Sequence, residues 1–220
     1  LEFIEHNVKG SQIVVNAASK INNIEQFIFT SSRSAIGEVP GAGSYITEDH
    51  HFRPVNPYGA TKAAAEGLIH NFHHNTQIPV KMTRMQPMYG PRCRPDMFVL
   101  RILRSILTGE KIQKYGTGEG VRDWLFVDDA VEAIFGIMLK QATFEIFNIG
   151  TGIGTTTNEL IEHCEQVTGG KANIENVEAI PGDAHFAGLA DCTKIKNMIG
   201  WEAKVDLREG IAITFEYMKK

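Results

Sequence analysis

The sequence predicts an α/β fold, because apolar runs of strand length alternate along it with stretches of helical periodicity. The strand-like runs lie at residues 27–30, 80–85 and 144–149, and a helical pattern precedes each of them. The composition agrees with this prediction. A chain of 220 residues that is 43% hydrophobic and 22% charged is typical of a folded protein with one large core or two modest ones.

The first predicted helix covers residues 2–18. Apolar and small residues recur along it at steps of four and three, which places them on one helical face: Ile4, Val8, Ser11, Val15 and Ala18. The chain begins at Leu1, inside this pattern. We therefore expect the sequence to be part of a longer protein.

The strand at 27–30 leads into two hydroxyl side chains, Ser31 and Ser32, and a helix that carries Tyr58 and Lys62 follows. Tyr58 and Lys62 stand four residues apart, so their side chains project from one face of that helix. A neighbouring ammonium group stabilises a phenolate. Ligands of an open parallel sheet bind beyond the carboxyl ends of its strands. The sequence therefore predicts that Ser32, Tyr58 and Lys62 converge on a substrate at that edge.

Three histidines, His70, His73 and His74, share a face of the same helix with the spacing of metal ligands. We interpret them as an exposed polar face, because no carboxylate or cysteine near them completes a metal site. No metal is expected.

The chain continues with a predicted strand at 80–85 and an apolar helix that ends at Gly109. The helix that runs to Leu139 carries Asp128 and Asp129 near its start. These two carboxylates are a candidate catalytic pair. We favour a structural role in which one of them caps the helix.

The strand at 144–149 is followed by alternating glycines at 150–154 that imitate a dinucleotide fingerprint. Thr155 stands where the third glycine belongs, so we interpret the stretch as a turn into a helix with a capping box at Thr156 and Glu159. The remaining predicted elements are a strand near 174–180, a turn at 181–183, a short helix that closes at 200–201 and a last helix from residue 207.

Six motifs follow one another across nearly all of the chain: Ser31-Ser32 with Gly37, Tyr58-Gly59-Ala60-Thr61-Lys62, Tyr89-Gly90-Pro91, Arg122-Asp123, Val127-Asp128-Asp129 and Asn148-Ile149-Gly150. In this order and spacing they resemble the extended short-chain dehydrogenase/reductases, specifically their nucleotide-sugar epimerase/dehydratase group. The resemblance implies the C-terminal part of a doubly wound (Rossmann-type) parallel sheet plus a smaller α/β substrate-binding lobe. Residues 1–91 and 126–150 would form the later half of an NAD-binding domain, and 92–125 and 151–220 a nucleotide-sugar-binding lobe. The glycine-rich cofactor motif is expected to precede this sequence in the parent protein.

The resemblance also implies roles for individual residues. Tyr58 takes a proton from the substrate, Lys62 tunes Tyr58 and holds the nicotinamide ribose, and Ser32 hydrogen-bonds the reacting oxygen. The residues implied at NAD are Asn7, Ser31, Tyr58, Lys62 and Gln86. Those implied at a nucleotide-diphosphate sugar are Arg92, Arg94, Tyr115 and Arg122.

Some of these positions keep a structural alternative. Asn7, Arg92 and Arg94 fit solvated surface positions about as well as binding positions. Arg122 resembles the arginine that contacts the diphosphate, and its alternative is an ion pair with Asp123.

Departures from the family pattern narrow the expected reaction. Relatives that dehydrate or decarboxylate carry a glutamate just after the catalytic hydroxyl residue, whereas this chain has Arg33 and Ser34 there. This favours a C4 epimerase acting on a sugar of the UDP-glucuronate or UDP-glucose type. The alternatives are a 4,6-dehydratase or reductase, or a non-catalytic binding module. The chain also departs from the family pattern at three other positions, Ile36, Pro87 and Ile180. In contrast, the segment 92–97 resembles the RxRPDM stretch of UDP-glucuronate 4-epimerases.

Composition excludes several other classes of protein. The net charge of −4 and pI near 6.1 give no basic surface for nucleic acid. Three cysteines without a CxxC pair fit a reducing compartment, and no apolar run is long enough for a membrane span. We therefore expect a cytoplasmic protein without nucleic-acid or membrane partners. By resemblance we expect a homodimer through the helices at 2–18 and 58–74.

Overall fold

The computed structural model describes residues 1–37, 39, 41, 44–179 and 188–220. The predicted turn at 181–183 and the departure at Ile180 lie outside these ranges. The sequence also predicts that the loop at residues 31–43 arches over the cleft, and residues 38, 40, 42 and 43 of that loop lie outside the described ranges. None of the described helices is long and apolar enough to cross a membrane.

The chain alternates strands and helices, as the sequence predicts. The strands are β1 (Phe27–Ser32), β2 (Tyr45–Ile46), β3 (Val80–Met85), β4 (Met88–Tyr89), β5 (Ile112–Tyr115), β6 (Val121–Asp123), β7 (Leu125–Phe126), β8 (Phe144–Ile149), β9 (Gly154–Thr156), β10 (Ile174–Val177) and β11 (Leu189–Ala190). A π-helical segment (Ile4–Lys9) runs directly into α1 (Gly10–Ala18) and a 3-10 turn covers Arg33–Ala35. The other helices are α2 (Pro57–Thr76), α3 (Phe98–Thr108), α4 (Val127–Leu139), α5 (Thr157–Thr168), α6 (Thr193–Ile199) and α7 (Leu207–Met218).

A parallel sheet with the strand order β1-β3-β8 forms the centre of the first half of the molecule. Ser32 lies opposite Met85, and Met85 lies opposite Ile149, so the three strands end level with one another. All three predicted strands are confirmed. Strand β1 extends beyond its apolar run, because Ser31 and Ser32 also pair with β3.

Helices cover both faces of this sheet, which confirms the doubly wound prediction. On one face α1 and α2 bury a cluster with β3 that includes Val15, Phe72 and Met82. On the other face, α4 and α6 bury a second cluster against β8, to which Phe147 and Trp201 belong.

A third core lies among α3, α5 and α7. Its fully buried members include Val99, Leu103, Leu160 and Ile211. Strands β5 and β10 pair in parallel beside it, with Ile112 opposite Ile174. These elements lie within the segments expected to form the sugar-nucleotide lobe, and the assignment of that lobe stays a prediction.

Strand β3 is buried along its whole length, including its charged residues. Lys81 donates through Nζ to Gln26 Oε1 at 2.6 Å and to the backbone carbonyls of Met138 and Lys140. Burial lowers the pKa of Lys81. Lys81 and Arg84 are therefore internal hydrogen-bonding positions of this strand, whereas the Thr83 hydroxyl is buried without a hydrogen-bond partner among the described residues.

The prediction that Asp128 or Asp129 caps α4 is wrong. The residue that precedes the helix is Phe126, and no side chain caps it. Asp129 instead accepts hydrogen bonds from the backbone N–H groups of Lys204 and Val205, at 3.1 and 3.0 Å. Its carboxylate thus holds the segment between α6 and α7. The carboxylate of Asp129 is thus used by a segment distant in the sequence, not by the start of its own helix.

The capping box of α5 is confirmed. Thr156 Oγ1 accepts from the backbone N–H of Glu159 at 3.1 Å, and the Glu159 carboxylate accepts from the backbone N–H of Thr156 at 2.7 Å. Two otherwise unpaired backbone donors are satisfied at the start of the helix.

The three histidines of α2 do not share one environment. His70 and His74 are exposed and His73 is half-buried, and the rings of His70 and His73 pack against Phe144 with centroids 5.2 and 5.0 Å away. Within the described residues, no group of three His, Cys, Asp or Glu side chains is placed to hold a metal ion.

Candidate active site

A cleft of about 1070 Å³ opens beyond the carboxyl ends of β1 and β3. The end of β1, the first turns of α2 and the segment that follows β3 form its walls. Eight of the residues singled out in the sequence line it: Ser31, Ser32, Tyr58, Lys62, Gln86, Arg92, Arg94 and Arg122. The position agrees with the rule that open α/β sheets bind ligands at this edge.

Tyr58 and Lys62 lie in the first two turns of α2. The helix begins at Pro57, and the side chain of Asn56 caps it by accepting from the Gly59 N–H at 2.8 Å. The Tyr58 ring packs edge to face on Phe3, with centroids 5.7 Å apart. The tyrosine is therefore held between the first helical segment and the cleft.

Lys62 is anchored at the end of β1. Its Nζ donates to the Thr30 carbonyl at 2.9 Å and lies 5.2 Å from the centroid of the Phe29 ring. Burial lowers the pKa of Lys62, and the negative charge of Glu66 acts in the opposite direction. An ammonium group has three N–H donors, so Lys62 keeps donors beyond the one that it directs at Thr30.

Ser32 stands at the start of the 3-10 turn. Its Oγ accepts from the backbone N–H of Ser34 at 3.2 Å. A serine hydroxyl is also a donor, and this acceptor role leaves its proton available to a ligand.

The close packing of α2 against the 3-10 turn requires a glycine at position 59, next to Tyr58. A Cβ atom at this position would lie 2.2 Å from the carbonyl oxygen of Ser34. Only glycine lets the first turn of α2 approach the 3-10 turn this closely. The contact sets the position of Tyr58 relative to Ser32.

A buried ion pair that the sequence reasoning missed lies behind the cleft. Arg84 donates to both oxygens of the Glu66 carboxylate, at 2.8 to 3.2 Å, and both side chains are 3% exposed. Ser31 Oγ donates to the same carboxylate at 2.5 Å. A charged residue within an otherwise buried strand was the available signal, because such a charge requires a partner.

Ser31 and Gln86, for which the resemblance implies contacts with NAD, both line the cleft, and these contacts stay predictions. The Ser31 hydroxyl is engaged by Glu66. Gln86 donates through Nε2 to the Gly188 carbonyl at 3.0 Å, while its Oε1 is buried and has no hydrogen-bond partner among the described residues.

Three predicted substrate residues are arginines on the outer walls of the cleft. Arg92 adopts a positive φ of 63°. Arg94 forms an exposed ion pair with Asp96 at 3.2 Å. The alternative ion pair of Arg122 with Asp123 does not form, because the Asp123 carboxylate accepts instead from Thr151, Gly152 and Ala190.

Asn7 and Tyr115 do not line the cleft. Asn7 donates through Nδ2 to Thr61 Oγ1 at 3.0 Å, so it joins the first helical segment to α2. The Tyr115 hydroxyl donates to Gln113 Oε1 at 2.9 Å on an exposed surface. The binding roles expected of these two residues stay predictions.

The parallel sheet, and the cleft with its tyrosine and lysine at the carboxyl ends of the strands, have the architecture of the dehydrogenase/reductase type of α/β fold. The chain belongs to the NAD-dependent epimerase/dehydratase family, whose model matches residues 1–150.

Individual relatives include both epimerases and dehydratases. The chain is 32% identical over 220 residues to a dTDP-glucose 4,6-dehydratase of Streptomyces griseus. This alignment covers 99% of the chain and 66% of the dehydratase. It matches MoeE5 in complex with UDP-glucuronic acid and NAD with a TM-score of 0.92 and 32% identity, over 98% of this chain and 72% of MoeE5. It matches the UDP-glucuronic acid 4-epimerase from Bacillus cereus, in complex with UDP-glucuronic acid and NAD, with a TM-score of 0.91 and 28% identity, over 98% of this chain and 68% of that enzyme. The chain spans about two thirds of the length of the curated relatives.

NAD is the cofactor of this family, and the cleft residues fit it. Lys62 has spare donors and the buried Oε1 of Gln86 is an unused acceptor on the cleft wall. Both groups suit the hydroxyls and the carboxamide of a nicotinamide nucleotide.

Proposed function

We propose that this chain is part of an NAD-dependent epimerase that inverts C4 of a nucleotide-diphosphate sugar of the UDP-glucuronate or UDP-glucose type. One observation carries the proposal. Of the described residues that line the cleft, Asp96 alone has a carboxylate, and it pairs with Arg94. Dehydration requires a further acid beside the tyrosine to assist the loss of water, whereas inversion at C4 requires only the proton that Tyr58 carries.

In the proposed reaction, Tyr58, Ser32 and Lys62 each have a separate role. Bound NAD supplies a hydride acceptor and donor for C4. Tyr58 takes the proton of the C4 hydroxyl as C4 is oxidised to a ketone, and it returns that proton when C4 is reduced on its opposite face. Ser32 donates a hydrogen bond from its hydroxyl to the oxygen on C4 and keeps its proton. The Lys62 ammonium, held at Thr30, lies one helical turn from Tyr58 and keeps further donors for the ligand in the same cleft.

The relatives support this proposal and also its alternative. MoeE5 and the Bacillus cereus epimerase are both complexes with UDP-glucuronic acid. The identity of 32% to a dTDP-glucose 4,6-dehydratase favours dehydration as the second candidate.

Proton NMR of the protein that carries this chain, incubated with NAD and either UDP-glucuronate or UDP-glucose, separates the candidates. Epimerisation converts the large H4 couplings of the gluco sugar into the small couplings of the galacto sugar. Dehydration of UDP-glucose or dTDP-glucose produces a new C6 methyl signal instead. If no tested sugar nucleotide changes, a non-catalytic binding role replaces both.

We also propose that the protein is a cytoplasmic homodimer that pairs through α1 and α2. Exposed apolar side chains on the first helical segment and α1 support this interface: Phe3, Ile4, Ile13 and Val14. The small exposed residues Ala60 and Ala64 along α2 would let a second helix approach closely.

A further inference from the structure

A buried hydrogen bond to which the proposed mechanism gives no role joins the end of β1 to α2. Ser31 Oγ donates to the Glu66 carboxylate at 2.5 Å, and both residues are 3% exposed. Glu66 stands one helical turn after Lys62, which donates to the carbonyl of the preceding strand residue, Thr30. Two successive residues of β1 are thus held by two successive turns of the helix.

The hydroxyl of Ser31 is fully committed as a donor. It has a single proton, and Glu66 accepts it. Arg84 donates to both oxygens of the same carboxylate, which fixes the acceptor against β3. A hydrogen bond to an ionised acceptor is stronger than one between neutral groups. Ser31 therefore has no proton left for a ligand in the cleft.

This bond lies beside the groups of the proposed reaction. Ser31 directly precedes Ser32, and on the other side of Ser32 the Ser34 carbonyl lies against Gly59 of α2. The helix that carries Tyr58 therefore contacts the chain on both sides of Ser32. If the end of β1 could shift along the helix, the distance between the Ser32 hydroxyl and the Tyr58 phenol would change.

We infer that Ser31 is a positioning residue, whose hydrogen bond to Glu66 holds the end of β1 against α2 and so places Ser32 relative to Tyr58. The inference rests on the proposed function, because that function assigns Ser32 and Tyr58 to the reacting oxygen. It gives Ser31 a role other than the NAD contact that the resemblance implies.

Ser31→Ala tests the inference on the protein that carries this chain. The variant removes the hydroxyl, while Arg84 still pairs with Glu66. We expect kcat in the NMR assay to fall about 10-fold, because small displacements of reacting groups slow a reaction strongly. The affinity for NAD, measured by titration calorimetry, should stay within about 2-fold of the wild-type value. Ser31→Cys keeps a similar size but donates weakly, so its kcat should lie between those of wild type and Ser31→Ala.

Ser105→Ala is the matched control, because it also removes a buried serine hydroxyl. Ser105 does not line the cleft, is 0% exposed and donates to the Glu110 carbonyl at 2.7 Å. It also accepts from the backbone N–H of Asn173, so its loss should destabilise the protein at least as much as Ser31→Ala. The kcat of this control should equal that of the wild type.

Hydrogen exchange followed by mass spectrometry reads the hold on β1 without turnover. Ser31→Ala should speed the exchange of backbone amides at residues 30–36, because the end of the strand opens locally more often. Ser105→Ala should leave the exchange of this segment unchanged.

Three results would overturn the inference. A clear loss of NAD affinity in Ser31→Ala would make Ser31 a cofactor contact. An unchanged kcat in Ser31→Ala, or an equal loss in Ser105→Ala, would remove the positioning role. If Ser31→Ala does not fold, Ser31→Cys carries the same comparisons.

The exchange measurement separates this inference from the proposed function. In a protein that epimerises nothing, faster exchange at 30–36 with unchanged NAD affinity would sustain the hold of Glu66 on β1 and reject only the epimerase. Unchanged exchange in an active epimerase would reject the inference and keep the function.

Discussion

Tyr58 is the residue on which the proposed chemistry depends. Tyr58→Phe removes the phenolic oxygen and keeps the ring that packs on Phe3. We expect kcat to fall about 10²- to 10⁴-fold, because the proton of the C4 hydroxyl has no acceptor. Affinity for the sugar nucleotide should change little. The NMR assay gives the rate and calorimetry the affinity, and a variant that retains most of its rate would remove Tyr58 from the mechanism.

Glu66 is expected to contribute to stability through Arg84. Glu66→Gln leaves the buried guanidinium of Arg84 without its counter-charge, and Ser31 loses a charged acceptor. We expect the free energy of unfolding to fall by about 3–5 kcal/mol. Urea unfolding measures this change. The control is Glu5→Gln in the exposed pair with Lys9, where we expect a loss of at most about 1 kcal/mol. Equal effects at the two sites would contradict the assignment.

At the scale of the element, the start of α2 is positioned by a glycine. Gly59→Ala places a methyl group against the Ser34 carbonyl, so α2 must move away from the 3-10 turn. We expect a lower free energy of unfolding and a lower kcat. When α2 moves away from the 3-10 turn, the distance between Tyr58 and Ser32 increases. Gly67→Ala is the matched control in the same helix. No atom lies within 4 Å of its added Cβ, and it should raise the stability by about 0.5–1 kcal/mol. Both changes are read by thermal unfolding and by the NMR assay.

Helix α5 depends on its capping box, and this dependence varies with pH. The hydrogen bonds from Thr156 hold the pKa of Glu159 below the ordinary glutamate value of about 4.5. A carboxyl group with a lowered folded-state pKa stabilises the protein above its unfolded-state pKa, and it loses this effect as the pH falls through the folded-state value. The stability difference between wild type and Glu159→Gln should therefore be full at neutral pH and vanish in acid. Urea unfolding across this range tests the sign, and a difference that grows in acid would refute it.

Thr156→Ala should lower the free energy of unfolding by about 0.5–2 kcal/mol at neutral pH, because it removes the hydroxyl that accepts from the Glu159 N–H in the capping box.

At the scale of the whole molecule, the proposed homodimer depends on the apolar surface of α1. Val14 is 53% exposed, and a glutamate there would be buried against a second copy without a partner. We expect Val14→Glu to shift the protein from dimer to monomer in sedimentation velocity. Leu107→Glu on the exposed side of α3 should leave the assembly unchanged. A monomeric wild type would reject the interface outright.

The structural features that depend on residues close together in the sequence could be predicted from the sequence alone. The three strands of the sheet and the Thr156–Glu159 box were predicted correctly. Each depends on periodicity or on hydrogen bonds between residues a few positions apart. The short strands, β2 and β4 among them, carried no such periodicity and went unpredicted.

The tertiary structure alone decided which partner each polar group finds. Asp129 accepts a hydrogen bond from a backbone N–H group 75 positions away and does not cap its own helix. Arg84 of β3 pairs with Glu66 of α2. Arg33 looked in the sequence like the absence of an acid, whereas the fold buries it and directs its Nη2 to the Gly37 carbonyl. Such outcomes depend on burial and on contacts between distant segments, because the cost of leaving a charge or a donor unpaired is set by what the folded chain brings next to it.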